Sequence, residues 1–96
     1  MPTWSKTGSF RKDYADLSAD DKKKFKKAVA DFVADLKSGK FRKGLRVKGV
    51  KGAGGIFEMT WAEDGRATFE YGPEIRPKTP HVIWRRCGDH SIFKHP

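Results

Sequence analysis

The stretch "GIFEMTWAEDGRATFEYG", residues 55–72, constrains the fold more than any other part of the chain. Apolar and polar residues alternate on both sides of a Glu-Asp-Gly break, the pattern of a β-hairpin with one buried face. A three-residue loop, Glu63-Asp64-Gly65 with Gly65 left-handed, pairs Phe57 with Tyr71, Met59 with Phe69 and Trp61 with Ala67. That register gathers these apolar side chains on one face and puts Glu58, Thr60, Arg66, Thr68 and Glu70 on the other. A two-residue Asp-Gly loop would set Met59 against Glu70, and a slip of one residue exchanges the two faces.

A sheet with one apolar face needs a covering layer, and the first half of the chain supplies it. Residues 2–6 read as a short edge strand. Phe10, Tyr14 and Leu17 fall at i, i+4 and i+7, which predicts a short helix from about Ser9. Ser18, with Asp20 and Asp21 behind it, is the N-cap of a second helix running to about Lys37. Phe25, Val29, Phe32, Val33 and Leu36 form its apolar stripe, and Gly39 is its stop. "LRVKGV" then reads as a strand with Leu45 and Val47 on one face, and "KGAGG" as a turn. Pro73–Pro80 is a proline-broken loop. "HVIWRRCG" is the last strand, with apolar residues on both faces, as a more central strand has. The expectation is one domain over residues 1–96 of the α+β class: two N-terminal helices on one face of a twisted, mainly antiparallel sheet, the other face open for binding.

Charge narrows the partners. The chain has 21 Lys and Arg against 12 Asp and Glu, a net charge of +9. Such an excess implies a polyanion, nucleic acid first, or a tightly bound acidic protein. A membrane surface fits less well, because no basic amphipathic helix carries exposed aromatics. No segment approaches the ~20 apolar residues of a membrane span, and "MPTWSKTGSF" has no apolar signal-like run, so a cytoplasmic location is expected. Cys87 is the only cysteine, so no intramolecular disulfide can form. His81, His90, His95 and Cys87 match no ligand spacing, and neither metal nor cofactor is expected. Lys22, Lys23, Lys24, Lys26 and Lys27 crowd the second helix, either as a solvated face or as a ridge for a phosphate backbone.

The open face and its surroundings hold Arg46, Lys48, Lys51, Glu58, Arg66, Arg85, Arg86, His90 and Phe93. The cations suit phosphate, arginine above all because its planar fork binds oxygens in pairs. A carboxylate and an imidazole exchange protons near neutral pH. An aromatic, Phe93 or Trp84, can stack on an unpaired base. This set suits metal-independent RNA cleavage, in which the 2′-hydroxyl is an internal nucleophile.

The hairpin "GIFEMTW…GRATFEY", the tail "HVIWRRCGDHSIF", the "F-x3-Y-x2-LS" run into a basic helix and the "LRVK" strand come in an order that resembles the RelE/ParE superfamily of bacterial toxin–antitoxin toxins. The resemblance covers nearly the whole chain. It implies an antitoxin partner that covers the basic surface. For RelE-like members it implies an endoribonuclease that cuts mRNA in the ribosomal A site; for ParE-like members it implies inhibition of DNA gyrase without chemistry. An inactive nucleic-acid-binding domain is the third alternative. By the resemblance, Arg66 contacts the scissile phosphate, His90 stands near a late-strand His or Arg, and Phe93 near an aromatic that is often Tyr. Arg46, Lys48 and Lys51 match a basic RNA-contacting region, with Arg85 and Arg86 as further RNA contacts. The chain departs from relatives that carry two lysines where Glu58 and Thr60 stand, or a carboxylate where Lys43 stands. The expected catalytic set is Arg66, His90 and Glu58, with either Glu58 or His90 as the base.

Overall fold

The structure, a computed structural model, describes residues 3–96. In chain order it contains β1 (Thr3–Lys6), α1 (Gly8–Ala15), α2 (Ala19–Ser38), β2 (Lys48–Gly49), β3 (Ile56–Thr60), β4 (Arg66–Gly72) and β5 (His81–Gly88). Short 3₁₀ turns occupy Lys43–Leu45 and His90–Lys94. The strand order is β1-β5-β4-β3-β2; β1 runs parallel to β5 and every other pair is antiparallel. The expected edge strand is present, although Pro2 lies outside the described residues.

Local signals set the helices. The Thr7 and Ser18 side chains accept the N–H of Phe10 and of Asp21, each at 3.1 Å, and so satisfy helix donors that lack an internal partner. Gly39 ends α2 at φ 80°, a conformation that suits glycine. Both helices lie against one face of the sheet, around an aromatic core. The Phe32 ring stands 5.1 Å from Phe41, 5.0 Å from Phe69 and 5.3 Å from Trp84, and Phe25 stands 5.8 Å from Trp84.

The hairpin keeps the expected faces but not the expected register. Phe57 pairs with Phe69, Met59 with Ala67 and Thr60 with Arg66, so each β4 partner moves by two positions. The loop begins one residue earlier: the Trp61 N–H donates to the Gly65 carbonyl and the Gly65 N–H to the Ala62 carbonyl, each at 3.1 Å. Gly65 is not left-handed. It is required for space, because the Trp61 indole folds over it and donates Nε1–H to the Arg66 carbonyl at 2.9 Å. A Cβ at Gly65 would sit 2.6 Å from two indole carbons. Gly65→Ala is therefore expected to destabilise the protein by about 1–3 kcal/mol through overpacking, read as a lower urea midpoint with an unchanged slope.

Two further segments differ from the sequence reading. The "LRVK" strand shrinks to Lys48–Gly49, because Leu45 closes a 3₁₀ turn and Arg46 takes a left-handed φ of 49° that interrupts extended backbone. In β5 the pairing slips between Thr68↔Arg86 and Phe69↔Trp84, leaving Arg85 as the extra residue of a β-bulge. The bulge returns Cys87, opposite Ala67, to the same buried face as Trp84. Apolar residues at both parities of this strand thus reflect a change of phase as well as an interior position. Trp84 is 4% exposed and belongs to the core, so it is not a base-stacking residue.

Burial pushes the Cys87 thiol from 9.0 up to about 12. The folded protein then keeps this proton while the unfolded chain loses it, so the associated stability is present below pH about 9 and is lost as pH rises toward 12. Urea midpoints measured across that range are expected to fall more steeply for the wild type than for Cys87→Ala.

Candidate functional site

The sheet face opposite the helices is only partly open. The His90–Lys94 turn packs against β4 and β5, and Ile92, 3% exposed, lies where a side chain at Gly88 would point, with Cγ2 3.2 Å from that position. Beside this cover lies a cleft of about 370 Å³ lined by Arg46, Val47, Lys48, Glu58, Thr60, Arg66 and His90. Three segments build it. Cross-strand pairing sets Lys48 opposite Glu58 and Thr60 opposite Arg66. The left-handed Arg46 turns the chain into β2, and the C-terminal turn brings in His90.

The three expected catalytic residues meet in this cleft. Arg66 is 8% exposed. Its NH1 donates to the carbonyls of Ala62, Glu63 and Gly65 at 3.3, 3.3 and 2.9 Å, while Nε and NH2 have no partner among the described residues. The guanidinium thus ties down the hairpin loop with one nitrogen and keeps donors for a ligand. Glu58 has a mostly buried side chain whose one ionic neighbour, at 3.9 Å, is the exposed Lys48 ammonium. His90 donates Nδ1–H to Asp64 Oδ1 at 2.6 Å, since a carboxylate can only accept. That bond fixes the ring and leaves Nε2 to work. The Phe93 ring stands edge-on to His90 at 5.8 Å.

Asp64 is a residue of the candidate site that the sequence reading missed. It stood there as a turn residue, and nothing local signals a partner 26 positions later. Arg46 and Lys48 line the cleft; Lys51 does not. Arg85 and Arg86 also lie outside it, each engaged by partners within the chain. Arg85 donates NH1–H to Glu70 at 2.8 Å and Nε–H to the Pro96 carbonyl at 3.1 Å. Arg86 donates Nε–H to Asp13 at 2.6 Å and NH1–H to the His95 carbonyl at 3.1 Å. Asp13 also accepts the Cys87 N–H at 3.2 Å, on the edge of β5 beyond the end of β1. Both arginines hold the chain's tail and the strand edge in place, and the hydrogen bond that Arg86 donates to Asp13 raises the Arg86 pKa further. Among the described residues no group of three His, Cys, Asp or Glu side chains could hold a metal ion. No helix there is long and apolar enough to cross a membrane.

No protein-family model matches the chain, and no curated protein matches it either. Solved structures do share its architecture. The YoeB/ParE toxin from Agrobacterium tumefaciens superposes with a TM-score of 0.67 at 16% identity, covering 92% of this chain and 98% of that one. A chain of the RelB–RelE antitoxin–toxin complex from Methanococcus jannaschii gives 0.60 at 19% identity, over 95% and 98%. One from the DinJ–YafQ complex of E. coli gives 0.63 at 14% identity, over 95% and 96%. The expected α+β architecture is therefore the fold of the RelE, YoeB, ParE and YafQ toxins.

Proposed function

We propose that this chain is the toxin of a type II toxin–antitoxin system and an endoribonuclease that cuts mRNA in the ribosomal A site. The observation that carries the reading is the single cleft in which Arg46, Lys48 and Arg66 surround a carboxylate, Glu58, and an imidazole held by Asp64. In the reaction the substrate's 2′-oxygen bonds to phosphorus as the bond to the 5′-oxygen breaks. Glu58 takes the 2′-hydroxyl proton, and His90 Nε2 delivers one to the leaving 5′-oxygen. The unpartnered donors of Arg66, with Arg46 and Lys48, stabilise the charge on the phosphorane. Phe93 offers a surface for base stacking. The products are a 2′,3′-cyclic phosphate and a 5′-hydroxyl. The nucleophile is internal, so positioning supplies much of the acceleration.

The test is cleavage of mRNA by purified protein with and without programmed ribosomes, with 5′ ends mapped by primer extension. Cuts in the A-site codon only when ribosomes are present support the reading; intact mRNA with a folded protein ends it. The tie of Arg66 to three loop carbonyls favours a second reading, a binding protein without chemistry. In that case gyrase supercoiling or simple RNA binding responds while mRNA stays whole.

The partners are the ribosome, its mRNA and a cognate antitoxin, and the ribosome places the chain in the cytoplasm. The antitoxin is supported by the two similar structures that are antitoxin–toxin complexes and by a surface suited to one. Between β1 and α2 runs an apolar groove of about 230 Å³, lined by Trp4, Tyr14, Val29, Val33 and Leu36 and flanked by Lys6 and Lys26. Its chemistry fits an apolar segment with acidic flanks. Trp4, 56% exposed, is its most accessible aromatic, and its loss should weaken antitoxin binding by about 2 kcal/mol or more. Trp4→Glu is expected to abolish co-purification with the antitoxin and to leave ribosome-dependent cleavage intact.

A further inference from the structure

A second cleft, of about 570 Å³, adjoins the first and shares Arg46 and Thr60 with it. Its other cations are Lys24 and Lys27 from α2 and Arg42, against the carboxylates Asp31 and Glu63. A third cleft, of about 430 Å³, shares Lys24, Trp61, Ala62 and Glu63 with the second and has the opposite character. It carries Asp21, Glu63, Asp64 and Asp89 against Lys24 alone. A polyanion leaving the first cleft therefore meets attraction toward Arg46 and Lys27 and repulsion toward Asp21, Asp64 and Asp89.

We infer that RNA leaves the cleavage cleft on one side only, over Arg46 and along Lys24 and Lys27, and that the second cleft is a subsite for the ribose-phosphate backbone of nucleotides flanking the scissile bond. The inference rests on the RNA-cleavage reading and adds a path to it. Arg46 makes the join: it lines both clefts, is exposed, and has no ionic partner among the described residues. Lys24 and Lys27 contact Asp20 and Asp31 at 3.4 Å, but exposed i, i+4 pairs are weak and yield readily to a phosphate. Arg42 is different. Its guanidinium grips Asp35 at 2.8 and 2.9 Å and Asp31 at 3.1 Å, so it forms a wall of the cleft rather than a phosphate ligand. Trp61 spends its only polar atom on the Arg66 carbonyl and so presents just its ring to the cleft. The lysine run of α2 is thereby divided, since Lys26 flanks the apolar groove instead.

The test measures binding of a 2′-O-methylated single-stranded RNA, which cannot be cleaved, to the full chain as salt is varied. Lys24→Gln/Lys27→Gln is compared with Lys37→Gln/Lys40→Gln, which removes the same charge outside both clefts. The first pair is expected to weaken binding about tenfold and to lower the salt slope by about 1.4, the share of two single-strand phosphate contacts. The control pair should change affinity less than about threefold by long-range charge alone. Equal losses in the two pairs, no loss in the first, or no binding by the wild type overturns the subsite. The ribosome assay separates the two proposals. Intact mRNA with Lys24/Lys27-dependent binding removes the nuclease and keeps the path; A-site cuts with binding indifferent to Lys24 and Lys27 do the reverse.

Discussion

His90→Ala is expected to slow single-turnover mRNA cleavage by about 10²- to 10⁴-fold, the usual contribution of a positioned acid or base. Stability should barely change. The His90 side chain is 60% exposed, and exposed substitutions usually stay within about 0.5 kcal/mol. The measurement is a pair, quench-flow cleavage on programmed ribosomes and a urea melt of the same preparation. A comparator makes it specific. Asp64→Asn keeps an oxygen that can accept Nδ1–H but loses the charge, so it should retain more activity than Asp64→Ala and change the pH profile. A His90→Ala protein that cuts at the wild-type rate would remove His90 from the mechanism. Arg66→Ala is a poorer probe, because it removes the proposed phosphate ligand and the tie across the hairpin loop together.

Phe32→Ala is expected to be the most damaging core substitution, at about 3–5 kcal/mol. A domain of this size has only about 5–15 kcal/mol in total. Phe32 is 1% exposed and joins α2 to Phe41, Phe69 and Trp84. Phe69 and Trp84 also meet each other at 5.5 Å, but among the described residues Phe41 stacks on no other aromatic ring, so the helical side of the cavity cannot close cheaply. At roughly 4–8 °C per kcal/mol for a small domain, thermal melting should fall by tens of degrees. A shift of only a few degrees would mean that the helical layer is not fastened through this ring.

The parts of the fold legible in the sequence are those that short-range chemistry decides. Ser18 and Gly39 bound α2 because a cap and a left-handed glycine act within one turn. The buried face of the hairpin was legible from alternation alone. Its register was not, because Trp61 folding over Gly65 is a contact between a side chain and backbone that periodicity does not encode. The candidate site divides in the same way. Glu58, Thr60 and Arg66 follow from strand parity. The roles of Asp64 and Asp13 depend on partners 26 and 73 residues away, and Arg85 and Arg86 look free until the tail and α1 are folded against them.

The bulge at Arg85 has a consequence for how this protein tolerates insertion and deletion. It works as a frame correction within the last strand: upstream of it odd positions face away from the helices, and downstream of it they face toward them. Deleting Arg85 would remove the bulge and leave Cys87 inward and Gly88 outward, whereas deleting Arg85 and Arg86 together would turn Cys87 outward and Gly88 inward. The turn that seats Ile92 and delivers His90 to the cleft would then start from the wrong side of the sheet. The single deletion of Arg85 is thus expected to leave His90 near Glu58 and Arg66, while the double deletion would carry its imidazole away from them, so the parity of this strand decides whether the candidate site is assembled.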